Sequence, residues 1–474
     1  MRVLKFGGTS LSHPQRLETV LDRLRELTRG ESAEPVVVVV SALGGVTDEL
    51  TQALAAAERG EPSPGLARRL RARHLEDPGG RLDSEASAAL GAQLDRWLRE
   101  LDSMLDGVCQ LGESPPGVRH RVLATGERLA APRVAAWLRA GGVPATPVDG
   151  TEVLRSDFDL SHPAACAGPA IDSRQTRRQV LTGLAPLVRG EVPVVTGFLA
   201  AEARGRTVTL GRGASDLSAT TLAAALEADR VEIWTDTDGV LSADPRRVAE
   251  AHPLRALSFD EAAALARYGA KVLHPETLAP VRALGTPVEL RSTFAPRLPG
   301  TRLAPAPGGE ESPGSAPLEG AARASSCVDV VGLELSAHEA MPLGSTVLGV
   351  LEDSRLEPLH FARSRGRVVL WLRADESAAF EAALERRLRP LRAGIRRRDD
   401  LAAVALLPGG EPASWLVGDV ARRLEERGMR VHDLYVDRAD ASLVVTLVDR
   451  RAADGAVRTI HETWVAASSG RAAA

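Results

Sequence analysis

Residues 2–10 read Arg-Val-Leu-Lys-Phe-Gly-Gly-Thr-Ser, and residues 36–47 read Val-Val-Val-Val-Val-Ser-Ala-Leu-Gly-Gly-Val-Thr. Each stretch is a short apolar run that leads into a glycine pair. Five β-branched residues in a row suit a strand buried on both faces, as in a parallel sheet. After each glycine pair the period changes. Leu17, Val20, Leu21, Leu24 and Leu27 recur at helical spacing, with Gly30 where a C-terminal cap belongs, and residues 46–59 return to the same pattern. This repeated strand-turn-helix rhythm predicts a layered α/β domain.

The rhythm continues along the chain. Residues 64–111 are helix-rich with a break at Pro78-Gly79-Gly80, and residues 120–140 predict a helix ended by Gly141-Gly142. Strands are expected at 145–148, 192–197, 206–210, 231–235 and 288–291, the last closing the domain. Helices are expected at 174–189, 215–229, 259–268 and 275–284. From about Leu303 the composition changes, and residues 304–326, rich in Pro, Gly, Ser, Ala and Glu, read as a linker. Beyond it two β-α-β-β-α patterns follow, one over 328–388 and one over 401–464. The expected division is 1–302, a linker 303–326, then units 327–396 and 397–470.

Bulk properties exclude several classes. With 474 residues the chain is too long for one core. A hydrophobic content of 44% excludes disorder throughout, and a formal net charge of −4 gives no basis for a nucleic-acid or anionic-membrane partner. Cys109, Cys166 and Cys327 stand far apart without a CxxC pair, so neither a disulfide framework nor a zinc site is expected. The N-terminus is a poor secretory signal, and the longest apolar run, 401–407, is too short to cross a bilayer. A cytoplasmic setting follows as the expectation.

Six stretches carry candidate chemistry. Lys5-Phe6-Gly7-Gly8-Thr9-Ser10 puts a cation and a glycine turn between a strand and a helix, which suits a polyanion or simply a tight turn. Ser41 and Thr47 flank the second glycine pair, where parallel sheets place ligands. Glu127, in Thr125-Gly126-Glu127, could meet an ammonium group or be an ordinary surface acid. In Thr209-Leu-Gly-Arg-Gly-Ala-Ser-Asp216, Arg212 offers a bidentate carboxylate clamp and Ser215 or Asp216 a helix cap. Trp234-Thr-Asp-Thr-Asp-Gly-Val240 with Asp244 and Arg246 suits nucleotide recognition; it lacks the spacing of a calcium loop. Lys271, in Gly269-Ala-Lys-Val-Leu-His-Pro275, could reach a phosphate or lie in solvent.

In this order and spacing the six motifs resemble the aspartokinases of the amino-acid kinase family, over essentially residues 1–300. The resemblance implies an α/β/α sandwich with a mainly parallel central sheet, followed by two divergent ACT-like βαββαβ units. It implies ATP-dependent conversion of L-aspartate to 4-phospho-L-aspartate, with Mg²⁺ held mainly through the nucleotide phosphates and no protein metal site. By motif position, Lys5 and Asp216 would be catalytic. Ser41, Thr47, Glu127, Arg212 and Ser215 would bind the amino acid. Lys5, Gly7, Gly8, Ser10, Thr235, Asp236, Arg246 and Lys271 would bind ATP. Leu241 stands where the family often has an adenine-stacking aromatic. The C-terminal third departs further, with Pro342-Leu-Gly-Ser345 and Pro358-Leu-His-Phe-Ala-Arg-Ser364 in place of the usual ACT signatures. The family binds an end-product amino acid there and forms homodimers or higher homo-oligomers, so both partners are expectations. No fused dehydrogenase domain is expected. The competing readings are a kinase for glutamate, acetylglutamate or UMP, and a non-catalytic ligand sensor.

Overall fold

The computed structural model describes all residues except 31–32, 78–79, 162–169, 212, 307–321, 338–341, 355, 365, 390–392, 410–412, 440 and 466–474. These form two compact units. The first holds the described residues up to Gly239 together with Glu276–Pro305; the second holds Val240–Pro275 and the described residues beyond.

The strands of the first unit are β1 (Arg2–Phe6), β2 (Val36–Val40), β3 (Ala145–Val148), β4 (Val192–Thr196), β5 (Leu199–Ala201), β6 (Thr207–Thr209), β7 (Arg230–Thr235), β8 (Val288–Ser292) and β9 (Thr301–Ala304). Seven of them lie in the order β3-β4-β2-β1-β7-β8-β9. Every neighbouring pair is parallel except β8 with β9. All five valines of β2 are buried, as a strand covered on both faces requires. The helix Pro116–Ala140 is buried almost continuously from Ala124 to Leu138. Its Gly126 is obligatory for packing, because a Cβ there would stand 2.7 Å from Ala42 Cβ. In this unit the sequence reading missed two short strands. β9 carries one fully buried leucine, Leu303, and adds an antiparallel edge. β5 pairs with β6 in a separate two-stranded hairpin.

Glu232 lies fully buried in β7, an unusual place for a carboxylate. It accepts hydrogen bonds from Arg2 at 3.0 Å, Arg23 Nε at 3.1 Å and Trp234 Nε1 at 3.0 Å. Burial pushes its pKa up, but Arg23 and Arg2 outweigh it and hold the carboxyl below its ordinary value. Glu232→Gln is therefore expected to destabilise the fold by about 3 kcal/mol at pH 7, because two arginines lose their shared counter-charge. A depressed folded pKa gives stability that is present above the unfolded value and lost as pH falls through the folded one. The gap between wild type and variant, measured by urea unfolding, should thus close in acid below that ordinary range. A constant gap from pH 7 to 3 would show that the charge is not what stabilises.

The second unit contains a six-stranded antiparallel sheet of β10 (Ala322–Ser336), β11 (His360–Ser364), β12 (Arg367–Arg373), β13 (Gly394–Pro408), β14 (Val431–Asp437) and β15 (Leu443–Asp449). Its order is β11-β12-β10-β13-β15-β14. With the helices Leu343–Ser354, Ser377–Leu388, Ala413–Glu426 and Ala453–Ile460, this gives two β-α-β-β-α repeats. The expected βαββαβ units are both present, with their strands interleaved. The two long strands serve both repeats: Gly394–Arg398 of β13 pairs with Gly332–Ser336 of β10 and completes the first, while Ala322–Val330 of β10 pairs with Leu401–Pro408 of β13 and gives the second its fourth strand, with Ala322 in that repeat's core. Each repeat has its own apolar core. The first is built on Leu333, Val347, Leu370 and Phe380, the second on Val404, Leu416, Val444 and Ile460.

Candidate active site

Two glycine turns meet at the carboxyl ends of β1 and β2. A Cβ on Gly8 would stand 2.3 Å from Ala42 O and 2.9 Å from Gly44 N, so only glycine allows the turns to touch backbone to backbone. Ser12, which sequence reasoning passed over, stitches them together. Its hydroxyl donates to Gly8 O at 2.7 Å and accepts from Gly44 N–H at 2.8 Å.

Beside this junction opens a cleft of about 290 Å³, lined by Lys5, Ser41, Thr47, Glu127, Phe198 and the first turn of helix Ala214–Leu226, which carries Ser215 and Asp216. Parallel sheets leave such clefts at their strand ends. Lys5 Nζ lies 2.6 Å from Asp216 Oδ1, with both side chains largely buried. Glu127 is 3% exposed. Its Oε1 accepts from Ala42 N–H at 3.0 Å, and its Oε2 has no partner among the described residues. Burial pushes its carboxyl up to about 8, against the backbone hydrogen bond from Ala42. A buried carboxylate with an open oxygen is costly until a cation meets it. The cleft therefore suits a ligand that brings an ammonium group close to the Lys5–Asp216 pair.

Of the residues singled out from sequence, Lys5, Ser41, Thr47, Glu127, Ser215 and Asp216 come together here. Arg212 lies outside the described residues. Ser10 has no exposed surface, and its hydroxyl lies 3.2 Å from Thr293 Oγ1, so it does not open into the cleft. Gly7 N–H donates to Trp234 O at 3.3 Å, tying the loop to the end of β7, where Thr235 Oγ1 reaches Asp236 at 3.2 Å. Arg246 and Lys271 belong to the second unit and are exposed. Arg246 pairs with Asp244 at 2.5 Å, and together with the Lys271 charge holds the Asp244 carboxyl below its ordinary value. Phe198 was missed. It has φ 69°, a left-handed conformation rare for an aromatic, and is held by Ser218 Oγ on its N–H and by Leu210 N–H on its carbonyl. The strand 192–196 running into Gly197 was the available signal, since it repeats the logic of residues 2–8.

The amino acid kinase family model matches residues 1–292, well over half of the chain. The chain belongs to the amino acid kinase family. Within it, aspartokinase 1 of Arabidopsis thaliana, a chloroplastic protein, is 34% identical over 312 residues, covering 63% of this chain and 51% of that one. The chloroplastic bifunctional aspartokinase/homoserine dehydrogenase 2 of Zea mays is 32% identical over 311 residues, covering 65% and 33%. The chain thus spans about half and about a third of these relatives. A crystal structure of Escherichia coli aspartokinase III in complex with aspartate and ADP superposes with a TM-score of 0.81 at 26% identity, covering 98% of this chain and 99% of that one. The same protein in complex with lysine and aspartate gives 0.71 at 25%. The kinase fold with its C-terminal ACT-like repeats is accordingly that of the aspartokinases.

Proposed function

We propose that the protein is an aspartate kinase, transferring the γ-phosphoryl group of ATP to the side-chain carboxylate of L-aspartate. The observation that carries this reading is the open oxygen of buried Glu127 in the same cleft as the Lys5–Asp216 pair. Glu127 takes the substrate ammonium, and Arg212 takes its α-carboxylate. That leaves the side-chain carboxylate free to attack. It is already ionised at neutral pH, since an unperturbed aspartate titrates near ~4, so no general base is needed. One carboxylate oxygen forms the new P–O bond, the β–γ bridging P–O bond breaks, and ADP leaves with the electron pair. The difficulty is bringing anions together. Lys5, oriented by Asp216, stabilises the charge on the transferring group, with the backbone of the Gly7-Gly8 loop beside it. Magnesium arrives with the nucleotide as MgATP. Thr235, Asp236, Arg246 and Lys271 are proposed nucleotide contacts by motif position. An amino-acid effector on the C-terminal repeats and a homo-oligomer complete the proposal, in line with the lysine-bound relative. Among the described residues no helix is long and apolar enough to cross a membrane.

The deciding experiment is ADP release with L-aspartate, L-glutamate, N-acetylglutamate and UMP as acceptors. Turnover with another acceptor and none with aspartate would overturn the reading. Arg212→Ala is expected to raise the aspartate KM by about a hundredfold, the loss of a bidentate charged pair, while the ATP KM moves less than about threefold. Equal losses in both would remove Arg212 from the amino-acid site.

A further inference from the structure

The loop that carries Arg212, Ser215 and Asp216 is approached by a weak element. It follows the hairpin of β5 and β6, three residues each, paired from Leu199 with Thr209 to Ala201 with Thr207. A two-stranded hairpin of this length has little stability of its own. Two side chains of helix Pro116–Ala140 hold it. Arg128 donates to Thr207 Oγ1 at 2.9 Å and to Asp149 Oδ2 at 2.7 Å. His120 Nδ1 accepts the Thr209 backbone N–H at 3.1 Å and lies 2.8 Å from Thr209 Oγ1. Accepting at Nδ1 places the ring proton on Nε2. The ring also meets Phe158 in a T-shaped contact, 6.1 Å between centroids. Leu210 and Gly211 follow Thr209, and the helix of Ser215 and Asp216 begins at Ala214. His120 and Glu127 are seven residues apart, about two helical turns, and so share one stripe of the helix.

We propose that His120 is a positioning residue: it locks β6 to the helix that carries Glu127, and so fixes the spacing between the two walls of the amino-acid cleft. One rigid helix then presents Glu127 on one wall and, through His120 and Thr209, anchors the strand end from which the other wall, with Ser215 and Asp216, is built. The inference rests on the aspartate reading above for its substrate, but not for its geometry.

The test uses His120→Phe, His120→Asn and Thr209→Val in the full chain. For His120→Phe the aspartate KM should rise about tenfold, the scale of one hydrogen bond, with the ATP KM and kcat within about twofold of wild type. Hydrogen exchange over residues 207–216 should quicken in the same variant, and nowhere else in the first unit. His120→Asn, whose Oδ1 can take the place of Nδ1, should restore both readouts. Thr209→Val, which keeps the backbone donor, should show a smaller change in the same direction, and serves if His120→Phe does not fold. Wild-type values in both His120→Phe and Thr209→Val would overturn the proposal, as would an asparagine variant no better than phenylalanine or equal rises in both KM values. The exchange measurement needs no substrate. A wild type that phosphorylates a different acid would therefore sink the aspartate reading and still leave His120 to be judged.

Discussion

Glu127→Gln is expected to raise the aspartate KM by about a hundredfold and, in the ligand-free protein, to raise the melting temperature at pH 8. Both follow from one placement. The carboxyl is buried and one oxygen is unpartnered, so its ionised form is disfavoured and its pKa rises from 4.5 to about 8. A folded pKa above the unfolded one gives stability that is fully present below pH 4.5 and is lost as pH rises through about 8. Wild type should lose stability across that window, by a few kcal/mol in all at about 1.4 kcal/mol per pKa unit. The glutamine variant, whose amide oxygen can still accept from Ala42 N–H, should not. The advantage of the variant therefore grows from pH 5 to 8 and then levels. The same carboxyl must ionise to receive an ammonium, so the wild-type aspartate KM should fall as pH rises towards about 8, and the variant's should be flat. Thermal melts at pH 5 and 8, with and without 10 KM of aspartate at about neutral salt, separate the two effects. A variant that is less stable at pH 8, or that keeps its aspartate KM, would remove Glu127 from the ammonium site.

Lys5→Met should lower kcat by about a thousandfold while leaving the aspartate KM within about threefold, because the cation acts on charge that the nucleotide carries into the transition state. The ion pair complicates the reading. Removing Lys5 leaves Asp216, itself only 17% exposed at the side chain, without its cation. Part of any loss could then be structural. The double variant Lys5→Met with Asp216→Asn resolves this. It should recover the melting temperature lost in the single variant and recover no turnover. Recovery of turnover by the double variant would show that Lys5 serves the fold rather than the phosphoryl group. No recovery of either quantity would place both residues in the structural core of the turn.

Much of this was legible in the sequence for identifiable reasons. The five valines of β2 and the glycine pairs after β1 and β2 carry their meaning locally, in side-chain type and period. Lys5, Ser41 and Thr47 could be named because they flank glycine turns that follow apolar runs, whereas Glu127, Ser215 and Asp216 were named through the order and spacing of the motifs they belong to. What escaped depends on contacts distant in sequence or on backbone conformation alone. Phe198 is an ordinary aromatic until its positive φ is seen. Ser12 and His120 look like surface residues of helical stretches, and only the folded chain brings Gly44 and Thr209 to them. Ser10 read as part of a phosphate loop because its neighbours are. Its burial against Thr293 could not be known without the partner strand. The glycine pair at 7 and 8 reads from sequence as either a polyanion site or a tight turn, and the tightest neighbour of Gly8 is the carbonyl of Ala42. The sharing of β10 and β13 between the two repeats lay hidden for a similar reason, since it depends on pairing between residues as far apart in sequence as Ala322 and Pro408.

That sharing has a consequence for the order in which the chain can assemble as it is synthesised. The second half of β10, Val330–Ser336, finds a near neighbour in β12, which emerges some forty residues later. The first half has no such partner. In the sheet, Ala322–Asp329 pairs along β13, from Ala402 to Pro408. Until those residues leave the ribosome, a stretch containing Ala322, Ala324, Ser325 and Ser326, all buried in the finished protein, must wait as an open edge. Pairings of this sequence separation are slow to form and exposed to wrong partners in the interval. The second repeat thus begins before the first and is completed only after it, and nascent chains paused between residues 340 and 400 should be those that chaperones hold longest.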